Sequence, residues 1–434
     1  MNCKHLLPAI LLLLLMCNIV GATNYYLSTT GNDGNSGLST GQAWANLSHA
    51  QGQLVAGDTL YILPGTYYND SYVPQSNGSI GNPITICAYT TRPLFIGNVT
   101  NTTPAYRQPF HFFTCGNNTD PNSDPAEHYN ISGLEMHDYK CAFEVWEGSN
   151  NIEISDIITR NCSYMIHYLR DCHHINITDC VAYDSYYAPY HMWYDNHHLW
   201  MTNISAYNII DHGFIDFHTN NDNITVRDAL FYGELYDGEL IYFHGDHGTN
   251  DNNTIVNMSL TVTNNAGQEA MDIWSMGHNN YFENVSIVND DSHASFRIMS
   301  ASGATNFIAK NFDIVSRGYH AVVVSSLTVQ AQNILLENFT TSGVSHVSYM
   351  SDFGIQSSNF NNFIIRNPRG GTNGTIKMPI TYPATNPLIV EYTDGTVFEE
   401  DVNESVYYTA ARSYIERYDN ATGGAIYPRN ITLI

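Results

Sequence analysis

Through the middle of this chain runs a degenerate repeat: two apolar residues alternating with polar ones, then Asp, Asn, Gly or Ser, then another apolar residue. Clear copies are Tyr129-Asn-Ile-Ser-Gly-Leu134, Ile152-Glu-Ile-Ser-Asp-Ile157, Ile175-Asn-Ile-Thr-Asp-Cys180, Leu199-Trp-Met-Thr-Asn-Ile204 and Ile224-Thr-Val-Arg-Asp-Ala229. Weaker copies begin at Ile255, Phe282, Phe307, Ile334 and Phe363. Successive copies start 23 to 31 residues apart, a length that suits one coil of three short strands and three turns. The apolar spacing is near two, whereas a helical repeat needs about 3.6. Such a unit buries its apolar face only by stacking on its neighbours, so the pattern predicts one all-β solenoid.

The fifth position of each copy marks a bend. Asx and Gly tolerate left-handed backbone angles, which a sharp turn between two strands requires. Asp156, Asp179, Asn203, Asp228, Asn311, Asn338 and Asn367 are therefore expected to stack as a polar ladder. In the copies begun at Ile255 and Phe282, Asn257 and Asn284 fall on an inward position instead.

A second strand follows each bend after a variable excursion: Phe143 to Trp146, Ile166 to Leu169, His191 to Tyr194, Ile215 to His218, Ile241 to His244, Met271 to Trp274, Phe296 to Met299 and Ala321 to Val324. A period of two sends the first and third residues of each inward. The second residues form an outward column of Glu144, His167, Met192, Asp216, Tyr242, Asp272, Arg297 and Val322, and the fourth form another of Trp146, Leu169, Tyr194, His218, His244, Trp274, Met299 and Val324. Carboxylates, imidazoles and indoles concentrate on this strand before residue 300, while Ala321 to Val324 is wholly apolar.

Residues 1–22 combine Lys4, the apolar run Ile10 to Leu15 and a small-residue exit at Gly21-Ala22, the pattern of a secretory leader. Apart from that segment no apolar run is long enough to span a bilayer, so the expectation is a secreted or cell-surface protein without membrane insertion. Export permits disulfides among the six remaining cysteines, with Cys162 and Cys172 as one feasible pair and Cys180 as a buried thiol. Sequons such as Asn46, Asn69 and Asn117 are acceptors for glycans. A net charge of −25 with only 16 Lys and Arg repels nucleic acid and anionic lipid. Residues 23–128 are expected to cap the stack and supply its first coils, 129–387 to form the central solenoid, and 388–434 to close it.

The opening Tyr25-Tyr-Leu-Ser-Thr-Thr-Gly-Asn-Asp33, the segment Gly57-Asp-Thr-Leu-Tyr-Ile-Leu-Pro-Gly-Thr-Tyr67 and the coil repeat together resemble the pectate-lyase-like parallel β-helix proteins. The resemblance implies a right-handed parallel β-helix of about ten to twelve coils, an asparagine ladder at the bend, and polysaccharide bound along the outer face of the second strand. The group includes polysaccharide lyases, glycoside hydrolases and adhesins, so the fold leaves the activity open. Calcium-dependent lyases hold the metal with acidic residues and use Lys or Arg as base; Arg297 is the sole basic member of the columns.

The chemistry follows from the columns. Asp216 and Asp272 lie two coils apart, roughly 10 Å at the usual strand spacing, and are admissible as an acid and base pair in glycoside hydrolysis. Glu239 or Asp237 substitutes if the register slips, and a lyase would instead take Arg297 as base. Trp146, Tyr194, Tyr242 and Trp274 offer stacking surfaces to sugars, and Glu144, His167, His218 and His244 offer polar contacts. Asp211, Asp216 and Asp237 are candidates to hold Ca2+. His173-His174 and His197-His198 close successive coils; paired histidines in a turn are usually surface decoration, but stacked they make a four-imidazole set for a transition metal. The rival to an enzyme is a glycosylated surface or adhesion protein that uses the solenoid as a rigid spacer.

Overall fold

The alternation read from the repeat is the alternation of burial. In His173–Ser185 the inward residues Ile175, Ile177, Cys180, Ala182 and Ser185 are buried, and the phase skips one residue at each bend. The computed structural model describes residues 21–98, 111–115, 125–210, 213–235, 239–244, 248–265, 269–274, 277–290, 294–299, 305–316, 320–325, 330–343, 351–355 and 360–368, with short strands beyond. Residues 1–20, most of the expected leader, fall outside the described part, as does the expected strand Thr396 to Phe398.

Two parallel sheets face each other across the core. The first runs from Asn24–Leu27 and Thr59–Ile62 through His173–Ser185, His197–Ile209 and Asp222–Leu235 to Leu388–Glu391. Its register joins like positions of successive repeats: Ile152 opposes Ile175, which opposes Leu199, which opposes Ile224. The second sheet stacks Cys141–Val145, Tyr164–Arg170, Tyr190–Tyr194, Ile215–Thr219, Ile241–Phe243, Met271–Ile273 and Phe296–Met299, all parallel. The result is a parallel β-helix of about nine turns, close to the expected ten to twelve. At its first turn the short helix Leu47–Ala50 buries Leu47 and Ala50. Among the described residues no helix is long and apolar enough to cross a membrane.

The bend column forms as expected and is longer. Asp156, Asp179, Asn203, Asp228, Asn311, Asn338 and Asn367 all have positive φ, between 46° and 56°. Amides link coil to coil, with Asn203 donating to Asp179 at 2.6 Å, Asn311 to Asn284 at 3.0 Å and Asn338 to Asn311 at 2.9 Å. Asn257 and Asn284 belong to this ladder and do not point inward. The reason is register: Ile255 opposes Val226, the third position of its repeat, so those two copies start two residues earlier than the apolar pattern suggests.

The inward residues build one continuous core in which aromatic rings stack between coils, as Phe217 does on Phe243 at 4.3 Å and Phe312 on Phe339 at 4.5 Å. Cys162 and Cys172 do not pair. Both are buried free thiols, donating to the carbonyls of Met136 and Val145 respectively, and Cys180 is likewise a buried thiol. Burial pushes the Cys162 and Cys180 thiols up to about 12, so both stay protonated and inert at neutral pH.

Candidate active site on the second sheet

Parallel pairing with unshifted register brings side chains of successive coils onto one ridge. The outward column of the second sheet reads Glu144 and His167 in register, then His191, Asp216, Tyr242, Asp272, Arg297 and Val323. His191 takes the place expected for Met192. Tyr190 is the inward residue of that strand, its ring buried and its hydroxyl donating to the Cys180 carbonyl at 3.2 Å, which leaves Met192 in the core opposite Phe217. The sequence Tyr-His-Met-Trp-Tyr alternates equally well in either phase; the available signal was that a tyrosine with a reachable carbonyl can be buried. The same shift places Val322 inward and Val323 outward.

The second column moves with it. Trp193, not Tyr194, stacks on His218 at 5.0 Å and 5°, and His218 stacks on His244 at 3.9 Å. Tyr194 opposes the buried Thr219 and lies at a tilt to His218, 6.0 Å away. Trp274 is exposed at the end of its strand, with Tyr242 6.1 Å away. Trp146 lies just beyond Cys141–Val145, coils away from this group. Asp211 and Asp237 lie outside the described residues, as do the side chains of Leu169 and Met299.

Side chains on the outer face of a solenoid are ordinarily wet, yet these are not. Glu144, His167, His191, Asp216, Glu269 and Asp272 are all buried, Asp272 completely. The column is thus covered, in part by aromatic side chains such as Tyr164, which stacks on His167 at 3.6 Å.

Two clusters divide this column. In the first, three imidazoles from three coils surround one carboxylate: His191 Nε2 lies 3.2 Å and His218 Nε2 3.5 Å from Asp216 Oδ2, and His244 Nε2 2.9 Å from Oδ1. They are close contacts without the alignment of full hydrogen bonds. Burial pushes the Asp216 carboxyl up, but His191, His218 and His244 together reverse this and hold it well below the usual carboxylate range.

The second cluster gathers Glu239, Glu269 and Asp272, with carboxylate oxygens within 4.8 Å of one another. Arg297 neutralises it, donating through Nε to Asp272 Oδ1 at 2.9 Å, through Nη2 to Asp272 Oδ2, and through Nη1 to Glu269 Oε1 at 2.6 Å. This fork fits bidentate carboxylate recognition. Burial, then the charges of Asp272 and Glu269, push Glu239 up to about 7, with Arg297 opposing. Burial outweighs Arg297 at Asp272 and leaves that carboxyl above its ordinary range. Tyr242 stands in register between Asp216 and Asp272, its ring 3.7 Å from that of His244.

Of the residues expected to hold Ca2+, Asp216 alone lies among the described residues. The ligand atoms of His191, Asp216 and His218, and those of Glu239, Glu269 and Asp272, lie within 4.8 Å of one another in each set, close enough to hold a metal ion, and Arg297 is paired with the second set. Burial lowers the pKa of Arg297, but its pairing with Asp272 and the charge of the nearby Glu269 outweigh this and raise it.

No protein-family model matches the sequence, and no curated protein matches it. Among solved structures it is similar to a pectate lyase, at 13% identity over 85% of this chain and 82% of that one, with a TM-score of 0.39. A surface adhesin of Streptococcus pneumoniae is 12% identical over 89% of this chain and 94% of its own, with a TM-score of 0.39. The catalytic domain of a GH87 α-1,3-glucanase in complex with nigerose is 11% identical over 76% of this chain and 63% of its own, with a TM-score of 0.43.

Proposed function

We propose that the protein hydrolyses glycosidic bonds of a polysaccharide bound in a groove along this column. The observation that carries the reading is the opposite displacement of one carboxyl group in each cluster: Glu239 is pushed up to about 7 and Asp216, set against His244 Nε2 at 2.9 Å, is held far down. A pair of titratable groups driven apart in this way separates the roles of acid and base.

Glu239, half-buried and protonated near neutrality, gives its proton to the leaving glycosidic oxygen. Asp216 is too deeply buried to reach water itself, but His244 at the groove surface is held against its Oδ1. His244 takes a proton from a water molecule as that water's oxygen attacks the anomeric carbon, and the ionised Asp216 stabilises the imidazolium that forms. The bond from the anomeric carbon to the leaving oxygen breaks, and solvent returns the proton from His244 to Glu239. Tyr242, Trp193 and Trp274 give flat apolar surfaces for sugar rings.

Direct attack of water on the anomeric carbon is a single displacement, so the product is expected with inverted anomeric configuration. Hydrolysis is preferred to elimination because Arg297 is committed to two carboxylates. The test is reducing-sugar release from a panel of neutral and acidic polysaccharides, read beside absorbance of unsaturated uronates. Release without that absorbance, lost in Glu239→Gln, supports the reading. Absorbance growing with each cleavage identifies a lyase, and binding without turnover identifies the non-catalytic surface protein.

A further inference from the structure

The first sheet carries a second left-handed column, at the start of its strands. Asn223, Asn252, Asn279, Asn306, Asn333 and Asn362 occupy it with φ between 55° and 57°. From Asn252 onward their amides bond coil to coil at 2.9 to 3.1 Å. In two consecutive coils the same position is His174 and His198, with φ of 55° and 56°, and each is preceded by another histidine. An imidazole cannot carry on the asparagine ladder, so these two coils give up that bond and present something else.

What they present is an ordered array. The register sets His173 on His197, with ring centroids 5.0 Å apart and planes 6° from parallel. His174 and His198 superpose at 5.1 Å and 2°. Within each coil the two Nδ1 atoms, of His173 and His174 and of His197 and His198, are 2.8 Å apart. A neutral imidazole has one N–H and one lone pair, so two Nδ1 atoms in contact share a single proton. When that proton moves to Nε2 of its own ring, both rings are Nε2–H tautomers and both Nδ1 lone pairs are open to one metal ion. Ligands about 2.1 Å from one metal and cis to each other lie roughly 3 Å apart, so each pair already has the bite of a chelate. The coil spacing is wider than that bite. His174 is exposed and the other three are half-exposed, which gives the rings room to tilt together across the coils.

We propose that His173, His174, His197 and His198 form a transition-metal site that clips two adjacent coils together. An all-imidazole donor set takes a borderline divalent ion such as Zn2+ or Cu2+ in preference to Ca2+ or Mg2+. Asp171 and Asp222 add negative charge beside the array. The array sits on the first sheet, away from the groove, so its role is to fasten the stack.

The experiment is calorimetric titration of the full chain with Zn2+ alone at pH 7.5. One ion per chain is expected, with affinity at least 30-fold weaker in the double variant His174→Asn and His198→Asn, and within threefold of wild type in His218→Asn with His244→Asn. Asparagine keeps the left-handed backbone and the column's usual residue, so the first variant is expected to fold and to retain polysaccharide cleavage. Cu2+ loaded onto the unaltered protein is expected to show coupling to at least three imidazole nitrogens by electron paramagnetic resonance, which needs no variant. The proposal is overturned if wild type shows no saturable binding, if the corner variant binds as well as wild type, or if only the groove variant loses the ion.

Discussion

His244 Nε2 lies 2.9 Å from Asp216 Oδ1, across the boundary between two adjacent coils. Neither residue is near the other in the chain, and only the coil register makes them a dyad. The contact links a buried, ionised carboxylate to an imidazole at the groove surface, and two further imidazoles, of His191 and His218, hold the carboxylate from the other side.

Replacing Asp216 with Asn is expected to lower kcat about 10²- to 10⁴-fold, the usual worth of general acid–base catalysis, with little change in KM. Steady-state kinetics on the responsive polysaccharide measure it. A fall in affinity without loss of kcat contradicts the dyad.

The same residue shapes acid stability. The folded Asp216 carboxyl sits well below its unfolded value of about 3.9, so the unfolded chain takes up the proton first as pH falls. Its contribution is present above about pH 4 and is lost as pH drops toward the folded pKa. Denaturant midpoints measured from pH 6 down to pH 2 are expected to fall less steeply in Asp216→Asn than in wild type.

Glu239 acts in the opposite direction. Its folded pKa of about 7 exceeds the unfolded value of about 4.3, so the folded state holds the proton more tightly and loses stability as pH rises between those values. The variant Glu239→Gln is expected to be more stable than wild type at pH 8 while losing activity. In wild type, kcat/KM is expected to decline above about pH 7 as the acid ionises; a profile flat to pH 9 removes Glu239 from that role.

Arg297 offsets the charge of Asp272 and Glu269 within a largely buried cluster. Arg297→Ala leaves buried carboxylates uncompensated and is expected to cost about 3–5 kcal/mol in urea unfolding. Lys in its place restores the charge without the two-pronged fork and is expected to recover part of that loss.

In the bend ladder, Asn311 donates to Asn284 and accepts from Asn338 at a φ of 56°. Asn311→Ala loses both bonds and strains the backbone, at an expected cost of about 2 kcal/mol, whereas Asn311→Gly keeps the turn and costs less. Equal losses in the two variants, read from urea midpoints, contradict the backbone component.

The architecture was legible because it is periodic. Apolar alternation with an Asx bend every coil is the cheapest way for a chain to bury one face and turn a corner repeatedly, so the all-β solenoid, the ladder from Asp156 to Asn367 and the face carrying Asp216, Tyr242, Asp272 and Arg297 were all open to reading. Phase was harder wherever both phases offered apolar residues. Tyr190, Met192 and Tyr194 alternate as well as His191 and Trp193 do, so alternation does not orient His191, and Ile255 imitates the start of a repeat, which in the sequence pattern displaces Asn257 from the ladder.

What the order of residues determined unaided is the coil, since alternation and bends are local properties of neighbouring positions. Which side chains meet, how deeply the groove buries them and which carboxyl keeps its proton were decided only by the folded stack. Register between coils is a cooperative result of packing many inward side chains at once, and electrostatic shifts depend on distances between residues that the chain holds far apart.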